Sequence, residues 1–412
     1  MTITPSVFSR FVLIKFDYVT PERRLFIAGL LFDFYVKGEF VLSAKELSKK
    51  YGVSLNTVNS TLKYLVQSGY AKRSDISISR GRPIGRYVFT PELKKKLNEP
   101  SDWIDSIRPT KFWGQAIREL FNGQVTNDQQ PKLSVSNRYL ICILALFSNK
   151  FGVVNSLPAS RISKTLGFSP LRLRSQLNTL VEKKVLASYT GGVTGKYLFG
   201  KAVGIYFLDT EEVAKALKIP VDTLPFSVME SGSIAPERGR YMAHSLYTLS
   251  SLISGVEVSD GIKTVQGEER YQQKFWDYKP EEFSQFIPLF ADTEQTRVAD
   301  YLQTKLEQYV GFYLTVESKS LDAEKQVEFA ELKQRIVREC VPKKWQSGSN
   351  KLGQEDSTLN EAYFVAFSEM LFKLVKGVAK NYTKHFDLKD KKNCSFRIVP
   401  YQESAVIESY RR

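Results

Sequence analysis

The sequence predicts an α+β fold that is mainly α with small β-wings: two tandem copies of a helix-turn-helix module, then a mostly helical C-terminal domain. Three observations predict it. The chain matches itself at a constant spacing, each copy carries the same order of caps and amphipathic stripes, and the excess positive charge lies in the half that holds the copies.

The self-match has one register. Leu42 falls on Leu157, Ala44 on Ala159 and Gly52 on Gly167, each 115 positions later. Ser48-Lys49 likewise meets Ser163-Lys164, Ser54 meets Ser169, Leu62 meets Leu177, and Leu65-Val66 meets Leu180-Val181. Further on the offset drops to 110, where Gly81 to Phe89 meets Gly191 to Phe199. A five-residue difference belongs in an exposed loop, because a surface turn takes extra residues at little energetic cost.

In copy one an apolar helix runs from Glu22 to Val36, with Thr20 as its cap and Pro21 suited to the first helical position. The second helix begins at Ser43. Its hydroxyl can accept from the Glu46 N–H while the Glu46 carboxylate reaches back, and Gly52 ends the helix because glycine tolerates the left-handed turn. Ser54 caps the third helix, and in copy two Ser169 is followed by Pro170. Val58, Leu62, Leu65 and Val66, like Leu173, Leu177, Leu180 and Val181, follow helical spacing and define a core face. The other face of this helix carries Asn56, Thr57, Ser60, Lys63 and Gln67 in copy one. Copy two shows Arg172, Ser175 and Asn178, with Arg174 at the side. Amides, hydroxyls and guanidiniums are the groups that pair with base edges in the major groove. A solvated polar face is the plain alternative for one helix, and its recurrence in a second copy weighs against it.

Two strands follow each third helix. In copy one Asp75–Ile78 and Tyr87–Phe89 flank Arg80-Gly81-Arg82-Pro83-Ile84-Gly85-Arg86, an extended basic wing whose Arg-Gly-Arg-Pro is also the core of the AT-hook that lies in narrow minor grooves. Copy two has Gly191-Gly192-Val193-Thr194-Gly195-Lys196, with one cation where copy one has three.

Ser43–Ser54, Thr57-Val58, Leu62–Leu65, Gly69-Tyr70 and the Arg80–Phe89 wing together resemble the winged helix-turn-helix family of bacterial and archaeal transcription regulators. The resemblance covers about residues 20–95 and 135–210, under half the chain, and implies two tandem winged helix-turn-helix domains. It speaks for the fold more than for the role. Two such domains in one chain are also similar to plasmid replication initiators, which clamp an origin repeat with both. Copy two departs from the pattern at Pro158, which replaces the capping serine, and at Lys184, which replaces Gly69.

The remaining segments carry weaker signals. A lysine-rich helix at Pro91–Leu97 completes the first domain, residues 1–97, and 98–134 read as a connecting segment with aromatic residues Trp103, Phe112 and Trp113. The second domain spans 135–210, and prolines, serines and glycines mark a linker at 211–240. In 241–412 one helix is expected over Leu321–Cys340. Another should open at a Thr358–Glu361 capping box and bear the stripe Tyr363, Phe367, Met370, Leu371, Leu374 and Val378, which suggests homodimer pairing through this half or ordinary packing. Glu317-Ser318-Lys319 has the Glu-x-Lys spacing of metal-dependent nucleases on a strand, but it also continues a helical pattern from Tyr301. No phosphate-binding loop of the P-loop type occurs.

Composition narrows the function further. The 412 residues are 42% hydrophobic and 25% charged, with no apolar run long enough to span a membrane, so a soluble cytoplasmic, nucleoid-associated protein is expected. Cys142, Cys340 and Cys394 are far apart, and His244 and His385 stand in no ligand spacing, so neither a metal nor a cofactor is expected. Residues 1–210 hold 31 Lys+Arg against 14 Asp+Glu, a balance of +17, while 211–412 hold 28 against 30, a balance of −2. The first half is suited to a polyanion. The expected activity is therefore sequence-specific binding of double-stranded DNA without catalysis, in transcription regulation or, alternatively, replication initiation. The expected contacts are Ser54, Asn56, Thr57, Asn59, Ser60 and Lys63 with the wing residues Arg80, Arg82 and Arg86, and in copy two Ser169, Arg172, Arg174, Ser175, Asn178 and Lys196.

Overall fold

The computed structural model describes residues 5–17, 19–76, 84–99, 101, 104, 106–107, 109–122, 133–220, 227–234, 286, 289, 295–343, 361–385, 388, 393–400 and 405–411. They form two compact units, Met1–Leu186 with Tyr206–Pro225, and Ala187–Ile205 with Phe226–Arg412. The described residues are mainly helical with small antiparallel sheets, and none of their helices is long and apolar enough to cross a membrane.

In the first unit, copy one runs α1 (Pro5–Leu13), α2 (Pro21–Phe34), β1 (Glu39–Val41), α3 (Ala44–Tyr51), α4 (Leu55–Gln67), β2 (Ala71–Ile76), β3 (Ile84–Phe89) and α5 (Pro91–Asn98). Copy two follows with α6 (Lys111–Phe121), α7 (Val135–Phe147), β4 (Val153–Val154), α8 (Ala159–Leu166), α9 (Pro170–Glu182), β5 (Leu186–Thr190), β6 (Ile205–Leu208) and α10 (Thr210–Ala216), the unit boundary falling after the first residue of β5 and within β6. The repeat is thus longer than the self-match indicated. Helix α6, from the segment expected to be a connection, packs on α7 as α1 packs on α2, and α10 follows β6 as α5 follows β3.

The caps are those the residue types call for. Thr20 accepts from the Arg23 N–H, and Ser43 and Glu46 form the reciprocal box that opens α3. Gly52 (φ +57°) and Gly167 (φ +69°) end α3 and α8 in the left-handed conformation. Pro158 offers no side-chain acceptor, so α8 starts without that bond. Lys184 nevertheless adopts φ +58°, close to the +72° of its counterpart Gly69. The turn geometry has been kept and its glycine lost, at the steric cost of a Cβ in the left-handed region.

The later register, 110, is corrected by the strands. Tyr87 and Val88 of β3 pair with Phe40 and Glu39, whereas in copy two Tyr206 and Phe207 of β6 pair with Val154 and Val153. Phe89 N–H donates to Gly38 O and Leu208 N–H donates to Gly152 O, each at 2.8 Å. The equivalent positions are therefore 119 apart, and copy two is four residues longer here rather than five shorter. Tyr197-Leu198-Phe199 imitates the strand triplet Tyr87-Val88-Phe89 but lies in no strand. It belongs to the second unit, where Phe199 donates its N–H to Cys340 O at 2.7 Å and meets Tyr301 edge-on.

The two copies share a core where α2 packs against α7. Arg138, on α7, is 4% exposed and aims its guanidinium at carbonyls only: Tyr51 O at 2.7 Å, Gly52 O at 3.2 Å, Leu120 O at 3.4 Å and Asn122 O at 3.5 Å. These are the C-terminal ends of α3 and α6, where helices expose acceptors and the negative end of their dipole. Tyr139 OH donates to Val12 O at 2.5 Å across the same junction. Within this core, buried Gly29 of α2 lets the Tyr51 ring lie where a Cβ would stand 2.7 Å away.

In the second unit, α11 (Gln295–Glu317), α12 (Asp322–Cys340) and α13 (Glu361–His385) pack on one another, and β7 (Ser227–Ile234), β8 (Cys394–Pro400) and β9 (Ala405–Arg411) form an antiparallel sheet in the order β7-β9-β8. Helix α11 lies on β8, with Gly311 against the Phe396 carbonyl. The sheet was not expected from the sequence, and β7 falls in the segment read as a linker. At two places the structure favours one of the alternatives that the sequence left open. Phe367, Met370, Leu371, Leu374 and Val378 are all buried, on a helix that packs against α11 and α12 within the unit, so that stripe is core and not a pairing surface. Glu317 ends a helix rather than standing on a strand, and Lys319 is bonded to Glu328, so the nuclease-like spacing has no strand to display it. Thr358 of the expected capping box lies outside the described residues.

Arg138→Met is expected to lower the free energy of unfolding, read from a urea titration, by about 3 kcal/mol, because it leaves buried carbonyls without a charged donor. Arg138→Lys should recover only part of the loss, since an ammonium cannot fork between two helix ends. Lys184→Gly should raise stability by about 1 kcal/mol and Gly69→Ala should lower it by about the same amount.

Candidate nucleic-acid interface

Helices α4 and α9 are built alike. Val58, Leu62 and Leu65 bury one face of α4, and Leu173, Leu177 and Leu180 bury that of α9, whereas Val66, expected in that face, is exposed and Val181 only half-buried. The faces left outward carry Asn56, Asn59, Lys63 and Gln67 on α4, and Arg174, Ser175 and Asn178 on α9, all exposed. Thr57 and Ser60 are half-buried, and their groups are already used: Thr57 Oγ1 meets Ser54 Oγ at 2.9 Å, and Ser60 Oγ donates to Thr57 O at 3.2 Å. Ser54 and Ser169 serve as caps, accepting from Thr57 N–H at 3.1 Å and Arg172 N–H at 3.2 Å. Those four hydroxyl positions shape α4 and α9 before they meet any ligand.

Arg172 is held at the start of α9. Its guanidinium carbon stands 4.4 Å from the centroid of the Phe168 ring, and Nη2 is 4.0 Å from the Glu22 carboxylate of copy one. Glu22 in turn accepts from Ser136 Oγ at 2.5 Å. Burial works to raise the Glu22 pKa, but the hydrogen bonds, that of Ser136 foremost, and the Arg172 charge hold it below the usual carboxylate range. Glu22 and Phe168 were not singled out from the sequence. Phe168, directly before the cap, occupies the position of a hydrophobic staple, which was the available signal; Glu22 could be found only from the fold.

Strands β1, β3 and β2 are neighbours in that order, and their arginines are engaged with acids. Arg86 forks onto Glu39 Oε2 at 2.9 and 2.5 Å, and Arg73 onto Asp75 Oδ1 at 3.1 and 2.9 Å. Both pairs are exposed, where such pairs contribute little and exchange readily for another anion. Arg80 and Arg82 lie outside the described residues. Lys196 belongs to the second unit, in the segment that follows β5, with its ammonium 4.7 Å from the Tyr197 ring centroid. The expected wing of copy two is therefore not a strand hairpin ending at Phe199.

The cap roles predict that Ser54→Ala and Ser169→Ala each cost about 1 kcal/mol of stability in a denaturant titration. No protein-family model matches the chain, and no curated protein matches it.

Proposed function

We propose that this chain is a sequence-specific double-stranded DNA-binding regulator, in which two tandem winged helix-turn-helix modules place α4 and α9 in successive major grooves of one site. The observation that carries the reading is the pairing of two helices with identical core registers, each offering an exposed row of amide, hydroxyl or cationic groups, in the half of the chain that holds the whole positive excess. Phosphate contacts by lysines and arginines supply most of the affinity, so the logarithm of the binding constant falls linearly with the logarithm of salt concentration. Asn56, Asn59, Lys63, Arg174 and Asn178 supply base preference. One chain carries both reading helices, so a bipartite site needs no second copy.

Selection of bound fragments from sheared genomic DNA of the source organism, at near-physiological salt, tests the reading. One bipartite motif at promoters supports regulation, repeated motifs at a single origin make the protein a replication initiator, and no enrichment overturns sequence-specific binding. On the selected motif, Arg174→Ala is expected to lose about tenfold in affinity and to relax preference at one position, with the salt slope unchanged. A uniform loss with a shallower slope would make Arg174 a phosphate contact instead.

A further inference from the structure

Leu171, in the first turn of α9, is 81% exposed, more than any other large hydrophobic residue among those described. Its place on the helix is as telling as its exposure. Leu171, Arg174, Ser175 and Asn178 follow i, i+3, i+4, i+7 spacing and form one outward row, opposite Leu173, Leu177 and Leu180 in the core. A leucine that packed into the module would interrupt that core row; this one heads the polar row. The 115-residue register sets Leu171 on Asn56, which heads the corresponding row of α4 and is likewise exposed. At one geometric position, one copy presents an amide and the other an isobutyl group.

In the major groove those two side chains have different complements. An amide pairs with the N6 and N7 edge of adenine, whereas an apolar side chain meets the one apolar feature the groove offers, the C5-methyl of thymine. We propose that Leu171 reads a thymine methyl, and that the site is consequently a pair of unlike half-sites, with thymine facing the start of α9 where adenine faces the start of α4. Arg172 and Arg174 flank Leu171 and bring the helix end to the polyanion that carries the methyl. The inference rests on the DNA-binding reading above.

The test uses the full-length protein and a random-sequence duplex library. The bound pool is selected with thymine in the DNA and then re-amplified with deoxyuridine in place of thymidine, which removes every C5-methyl and leaves every hydrogen-bonding edge intact. The penalty for methyl removal should be larger for the unaltered protein than for Leu171→Ala by about fourfold, the worth of one buried methyl. Leu171→Met should keep most of the sensitivity. Because Leu171 is solvent-facing, the alanine variant should unfold at the unaltered midpoint, so a fourfold change is not a folding effect. An equal penalty in both proteins would overturn the thymine assignment while leaving DNA binding in place; failure of the unaltered protein to enrich any duplex would instead overturn the DNA-binding reading itself.

Discussion

The junction of the two copies depends on one of the buried cations of the first unit, Arg138. Among the described residues no carboxylate pairs with Arg138, and it is almost wholly removed from water, which pushes its pKa below that of a free guanidinium. An isolated charge in that position would cost several kcal/mol. What offsets the cost is a set of carbonyls that no helix can satisfy internally, the last ones of α3 in copy one and of α6 in copy two. Each helix end needs a donor, and the guanidinium needs acceptors. A flat five-donor group meets both needs only if the two helix ends converge on one point, so Arg138 defines the junction of the copies as well as filling it.

That junction explains why the copies behave as one body rather than as two modules on a string. Tyr139, next to Arg138, donates to α1 of the other copy, and Glu22 ties α2 to Ser136 and to the Arg172 guanidinium. Every one of these bonds joins residues more than a hundred positions apart or nearly so, and none has a periodic signature. The sequence showed which residues make each helix; it did not show that Arg138, one cation among many in a basic half, would be buried.

Local chemistry was legible wherever a single turn of chain decides the outcome. The capping box at Ser43, the glycine ends of α3 and α8, and the core faces of α4 and α9 all follow from residues within eight positions of one another. The strand of copy two was misplaced for the complementary reason: Tyr197-Leu198-Phe199 and Tyr206-Phe207-Leu208 are both short aromatic and apolar triplets opening with tyrosine, and only pairing with Val153 and Val154 marks the second as the strand. The sheet of the second unit was hidden more deeply. Strand β8 is buried along six of its seven residues, so it lacks the alternation that marks a half-exposed strand, and the sheet's other edge, β7, lies over 150 residues earlier in the chain. The apolar row of α13 was readable as a row, but what covers it, α11 and α12, was not.

The divergence between the copies is uneven in a way that separates architecture from recognition. The left-handed turn is held even at a cost, as Lys184 shows by taking the conformation that Gly69 takes freely. Most positions that face outward from α4 and α9 differ: Asn56 against Leu171, Asn59 against Arg174, Lys63 against Asn178, while Ser60 matches Ser175 and Val66 matches Val181. Two surfaces that bound the same ligand would be under the same chemical constraint and would keep the same donors at equivalent positions. Two that bind different faces of one extended ligand need only the same scaffold. If the proposed function holds, a shared core with unlike outward rows suits a single asymmetric site read by one chain; the copies are alike in the left-handed turns, the caps of α4 and α9 and the leucine faces, and differ at the start of α8, where Pro158 replaces the capping serine.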